Sequence, residues 1–161
     1  MIAGFAWRDA EDDSDRKLLS DVREYGWHIV GVQGDQSCPD YSFSVGIYFT
    51  LNQPEIVVMG LPHKVAQDTI NRIGSLMGAG SRFVADQRYD NILDGFDAIL
   101  RPVSLERYHD YLGYGNWFYR SLPNRFPSLQ LVWPDKAGLF PWERGCDERC
   151  SALQHELWKD G

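Results

Sequence analysis

Apolar positions along the chain change spacing in a readable order. Leu18, Leu19, Val22 and Tyr25 recur three and four apart, which predicts a helix over 14–25. Asp13 or Ser14 can cap it, acids crowd its positive end, and Gly26 can close it. Three strands are expected next. Trp27 to Val32 is short and apolar. From Ser42 to Thr50 the pattern alternates: Phe43, Val45, Ile47 and Phe49 fall on one side, and Ser42, Ser44, Gly46 and Tyr48 on the other. Such alternation predicts a half-buried strand. Glu55 to Gly60 is β-branched and apolar, as a central strand would be. A turn at Asn52-Gln-Pro54 should pair the last two as a hairpin.

Pro62 then opens a helix over 63–77, whose buried face is Val65, Ile70, Ile73, Leu76 and Met77, with Gly78-Ala-Gly80 ending it. Phe96 to Val103 reads as a strand. Leu105 to Tyr119 reads as a helix capped by Ser104, and Ser128 to Trp133 as a last strand. The order α, β, β, β, α, β, α, β predicts one α+β domain over 1–161: a mostly antiparallel sheet of about five strands with three helices packed on it.

At 161 residues the chain can bury a core without a metal or disulfide, and 43% hydrophobic with 14% aromatic residues is a globular composition. The formal charge of -7 disfavours phosphate backbones, so nucleic acid is not an expected partner, whereas a basic protein is. No apolar run is long enough for a membrane span, and the acidic N-terminal region does not read as a signal peptide. Three cysteines are an odd number for a disulfide framework, and the expected compartment is the cytoplasm.

The densest chemistry lies in Gln130-Leu-Val-Trp-Pro-Asp-Lys-Ala-Gly-Leu-Phe-Pro-Trp-Glu143. Asp135 can form an Asx turn, Trp133 and Trp142 can stack on a ligand ring or on each other, and Glu143 beside Trp142 is a candidate general acid or base. The segment is either a clasp on the sheet edge or the wall of a site. His63 sits at a strand-to-helix turn, where free amides favour an anion. Tyr41 and Tyr48 stand with Ser42 and Ser44 on a polar strand face that can line a pocket or meet solvent. Cys146 and Cys150 would share one face of a helix, but zinc needs four well-spaced ligands, and no metal site is assigned. No catalytic signature occurs, so no catalytic residue is assigned.

Tyr41-Ser-Phe-Ser-Val-Gly46, Pro54-Glu-Ile-Val-Val-Met-Gly-Leu-Pro62, Asp110-Tyr-Leu-Gly113, Gln130-Leu-Val-Trp-Pro-Asp135 and Phe140-Pro-Trp-Glu143 together resemble a bacterial domain-of-unknown-function family, number 4262. The resemblance covers about 26–143, leaving the acidic N-terminal helix and the Cys-bearing tail outside it. It implies a compact soluble domain and carries over no activity. Two functional expectations follow. The first is a non-catalytic protein-binding module of inhibitor or immunity type. The second is a small enzyme or cofactor binder with a flavin- or nucleotide-type pocket gathering Tyr41, His63 and the Trp-Pro-Asp turn. The cofactor and oligomeric state are left unassigned.

Overall fold

A computed structural model describes residues 2–161. Helix α1 (Asp13–Tyr25) starts on Asp12, one residue before the expected cap: the Asp12 carboxylate accepts from the Asp15 N–H, and the Asp15 carboxylate accepts from the Glu11 N–H. The acidic cluster is thus a reciprocal helix cap. Gly26, with φ 103°, closes the helix by donating to the Asp21 and Val22 carbonyls.

Six strands form one mixed sheet: β1 (His28–Val32), β2 (Tyr41–Val45), β3 (Glu55–Met59), β4 (Arg88–Leu93), β5 (Phe96–Pro102) and β6 (Ser128–Val132), in the order β1-β2-β3-β6-β5-β4. The β3–β6 pair is parallel and the others are antiparallel. The predicted α+β class and mostly antiparallel pairing hold, including β2 against β3. The strand and helix counts do not.

The added strand is β4. Its Arg88, Asp90 and Asn91 are exposed and only Ile92 is fully buried, so it lacks a clear apolar period. The cue to it is Asp94-Gly95, a two-residue hairpin turn with φ 76° at Gly95, placing Leu93 opposite Phe96.

The expected strand over 42–50 breaks at Gly46. There φ is 118°, and a Cβ would lie 2.7 Å from the Gly26 carbonyl oxygen. The chain turns into α2 (Ile47–Leu51), and the period-two pattern dissolves in three dimensions. Phe43 and Val45 pack on one face of the sheet and Ile47 on the other. Nor is β2 half-buried, since all five of its residues are buried.

The expected helix over 105–119 is a 3-10 turn (Leu105–Arg107) followed by α4 (Tyr108–Tyr111) and α5 (Gly113–Phe118). Leu112 leaves helical geometry at φ -117°, ψ 41°, just before helix-weak Gly113. Ser104 does not cap this segment: its hydroxyl donates to Asp160. One sheet face is covered by α3 (His63–Gly78) through Ala66, Ile70, Ile73 and Met77. The other is covered by α1, α4, α5 and Leu157 of the tail. A short α6 (Glu148–Ala152) lies near the C-terminus. No helix among the described residues is long and apolar enough to cross a membrane.

One buried carboxylate joins these layers. Glu55 is 1% exposed. It accepts from the Ser44 hydroxyl (2.7 Å), the N–H groups of Gly46 (2.8 Å), Ile47 (3.0 Å) and Tyr48 (3.3 Å), and the Tyr119 hydroxyl (2.5 Å). Tyr119 in turn accepts from the Phe49 N–H at 3.1 Å. The free amides of α2 are therefore satisfied by a side chain from β3 and a phenol following α5. Burial pushes the Glu55 carboxyl above its ordinary range, against the pull of these donors. Glu55→Gln turns an NH₂ group toward a backbone N–H and is expected to cost about 2–3 kcal/mol, with Tyr119→Phe costing about 1–2 kcal/mol. Urea unfolding measures both, and a Gln variant as stable as the parent contradicts this role.

Candidate functional site

The parallel pair β3–β6 places two carboxyl-terminal strand ends side by side, the position where open sheets with covering helices tend to form crevices. After β3, Gly60 adopts φ 84° and lets the tail approach so closely that a Cβ would meet the Leu153 carbonyl oxygen at 2.5 Å. Leu61 follows, and Pro62 precedes α3. After β6, Trp133 donates its indole N–H to the Met59 carbonyl at 2.8 Å, locking the ring across the end of β3. The Gln154 side-chain amide accepts from the Trp133 N–H (3.0 Å) and donates to the Trp133 carbonyl (2.8 Å), in the manner of one residue of an added strand.

Between these ends, α3 and the β4–β5 hairpin lies a cleft of about 720 Å³. Its apolar lining includes Leu61, Val65, Ile92, Phe96, Trp133 and Leu153. Val65 and Phe96 are 46% and 41% exposed. Arg72 of α3 pairs with Asp94 of the hairpin tip at 2.8 Å, tying the two walls together. Lys136 and Arg149 also belong to the lining.

The sequence-predicted residues divide among several places. Trp133 and Asp135 line this cleft, and they alone of the set do. Asp135 is committed to its own turn. Its carboxylate accepts from the N–H groups of Ala137, Leu139 and Asp147, each at 2.9 Å. Trp142 and Glu143 lie elsewhere, with Phe140. The Trp142 ring stacks on Phe140 at 5.3 Å, meets Trp158 edge-on at 5.7 Å, and carries the Arg101 guanidinium at 4.2 Å. Glu143 accepts from the Phe140 N–H, closing a tight turn. Trp133 and Trp142 therefore do not stack on each other, and Glu143 is a turn acceptor.

Tyr41 belongs to the core, and Tyr48 is half-buried against it. The Tyr41 hydroxyl donates to the Tyr111 carbonyl at 2.9 Å, and Tyr48 packs edge-on against Tyr119. Ser42 and Ser44, predicted to line a pocket or meet solvent, are buried. His63 lies over Gly31, with Nδ1 3.4 Å from the Ser42 hydroxyl and Nε2 3.7 Å from the Asp40 carboxylate. The residue types are those of a serine hydrolase triad, but the two ring nitrogens are exchanged relative to it, and Ser42 is 2% exposed beneath the imidazole and unreachable by a substrate carbonyl. The expected gathering of Tyr41 and His63 with the Trp-Pro-Asp turn does not occur, because these residues serve separate layers of the fold.

Cys146 precedes α6 and only Cys150 lies within it, so they are not a one-faced helical pair. All three cysteines are free thiols. Burial pushes Cys150 up to about 12, aided by Cys146 beside it. A group so far from thiolate is poorly suited to nucleophilic or metal chemistry at neutral pH. No cluster able to hold a metal ion occurs among the described residues.

The model of the family described as Domain of unknown function (DUF4262) matches residues 21–147. The chain belongs to this family. No curated protein and no solved structure matches it. The family match begins inside α1 and ends at Asp147, whose N–H donates to Asp135. The tail beyond the match is nevertheless part of the packed fold. Gln130 donates to the His155 carbonyl and accepts from the Leu157 N–H, and Leu157 is fully buried.

The Trp133 wall is legible in the sequence, whereas the wall of Ile92, Leu93 and Phe96 is not. Asp94-Gly95, the hairpin turn, is the signal that locates it. Arg72, Lys136 and Arg149 carry no motif.

Asp135 yields a pH test. The Asp147, Leu139 and Ala137 N–H groups hold its carboxyl below the ordinary Asp range, Asp147 most strongly. A depressed carboxyl adds stability above its unfolded value of about 3.9 and loses it as pH falls through the lower folded value. Asp135→Asn should therefore melt below the parent at pH 7, with the gap narrowing below about pH 4. A gap that stays constant from pH 7 to pH 2 contradicts the carboxylate's role.

Proposed function

We propose that this protein is a binding domain that seats the apolar part of a small molecule in the cleft between α3, the β4–β5 hairpin and the Trp133 turn. The observation that carries the reading is the cleft itself. At about 720 Å³ it falls in the range of small-molecule sites, and it is lined by large apolar side chains with charges interspersed among them. Val65 and Phe96 are left partly exposed there, so a ligand covering them gains free energy from burial.

Binding is favoured over catalysis by what the polar groups nearby already do. Asp135 serves its turn, Asp94 pairs with Arg72, and Asp68 pairs with Lys64. A rigid wall of this kind selects by shape. The indole of Trp133 is held by Met59 at one end and by Gln154 through its backbone. The cleft favours the small-ligand alternative, with Leu61 and the Trp-Pro-Asp turn in its lining but without Tyr41 and His63, which the expected pocket gathered. An inhibitor or immunity-type role toward a basic protein rests on net charge, aromatic content and the lack of a catalytic signature in the sequence. The cleft's mixed lining, with Lys136 and Arg149 beside its acids, does not favour it.

The neutral fluorophore N-phenyl-1-naphthylamine tests this reading. It should bind saturably at one site and shift the Trp133 indole N–H signal in a ¹H–¹⁵N spectrum. Phe96→Asp with Val65→Asp should abolish both effects while leaving the fold intact, because both side chains are partly exposed. No saturable binding, or binding that survives the double substitution, rejects the cleft as the site.

A further inference from the structure

A second concavity, of about 340 Å³, opens where the loop after α5 folds back beneath α4, and its charge is opposite to that of the whole chain. Its polar lining includes His109, Asn116, Arg120, Asn124 and Arg125. It holds two arginines and two amides and no carboxylate, in a protein of net charge -7. The nearest acid by sequence, Asp110, is engaged by the His109 imidazole at 3.2 Å. Neither arginine joins an ion pair among the described residues.

The setting is partly preorganised. Arg125 lies 5.7 Å from the centroid of the Tyr108 ring, a cation–π contact that limits its wandering. Tyr108 is itself fixed by donating to the Phe126 carbonyl at 2.6 Å. Asn116 is oriented by donating to the Tyr108 carbonyl at 2.8 Å, which leaves its own oxygen and second N–H for other partners. Leu122, Pro123 and Phe126 add an apolar side to the same concavity.

We infer that this pocket is a binding site for a phosphate group, either the free ion or the terminal monoester of a small organic ligand. Two guanidinium groups match the charge of a phosphate dianion and donate to its oxygens in a planar fork, which ammonium groups cannot do. A volume of about 340 Å³ leaves room for an organic body beside the phosphate, against the Leu122–Pro123 side. The site is separate from the cleft and does not depend on its proposed role.

The test is a ¹H–¹⁵N titration of the full chain at low ionic strength with inorganic phosphate, phenyl phosphate and phenylacetate, using sodium chloride as an ionic-strength control. Inorganic phosphate or phenyl phosphate should shift the Arg120 and Arg125 Nε–H and Asn116 side-chain signals. Arg120→Gln with Arg125→Gln should weaken binding at least tenfold. Lys136→Gln with Arg149→Gln, which removes the same charge at the cleft, should leave it unchanged. Equal affinity for both phosphates assigns the free ion, whereas phenyl phosphate binding at least fivefold tighter assigns the monoester. Signals that do not move, that move as far with phenylacetate or chloride, or that weaken equally in both double variants overturn the site.

Discussion

The buried carboxylate of Glu55 is the constraint around which the rest of the structure is arranged. A strand turning at Gly46 into the short helix α2 exposes backbone N–H groups to the interior, where no water can satisfy them. Glu55, at the first position of β3, accepts from three of these groups, from Ser44 of β2 and from Tyr119 after α5. Leaving one such group unpaired in the core costs about 1–3 kcal/mol, so the contacts are held as a set. The same strand that begins on this carboxylate ends at Met59, whose carbonyl fixes the Trp133 indole at the cleft. The core anchor and the cleft wall are two ends of one strand of five residues.

The Gln130–Glu143 segment does two jobs, divided at Asp135. Its first part is a wall: Trp133 lines the cleft and is held by Met59 and Gln154. Its later part is a clasp: Phe140, Trp142 and Glu143 form a stacked turn under Arg101, outside the cleft's lining. Asp135 belongs to both, lining the cleft while its oxygens order the turn and receive the Asp147 N–H. A stretch rich in aromatics and acids thus supplies ring surface to a cleft without supplying a catalytic group.

Elements marked by one apolar pattern, either periodic or a continuous run, were legible in the sequence. α1, β3, α3, β5 and β6 each lie close to their expected bounds, although Tyr25 of α1 and Val65 of α3, both on the predicted apolar faces, are 71% and 46% exposed. The misreadings arise where three-dimensional partners override the pattern. Ile47 shares a face with Phe43 and Val45 only in the sequence, because the positive φ of Gly46 and the pull of Glu55 turn the chain before it. β4 carries polar residues on an edge strand, as edges commonly do, and so hides its period. Glu55 looked like an ordinary strand-start acid, since the donors that fill its oxygens lie as far as 64 residues away. Of the candidate site, Trp133 and Asp135 were legible. The facing hairpin wall and the Arg120–Arg125 pocket were not, because they are set by tertiary folding rather than by any local motif.

Native-state hydrogen exchange of the Gly46, Ile47 and Tyr48 amides tests the central role of Glu55 most directly. An isolated five-residue helix exchanges freely, having too few internal hydrogen bonds to hold itself. If the carboxylate clamps these amides to β3, they exchange only through global unfolding and show the same protection as the β3 amides. Exchange of all three through local opening, while β3 stays protected, contradicts the account.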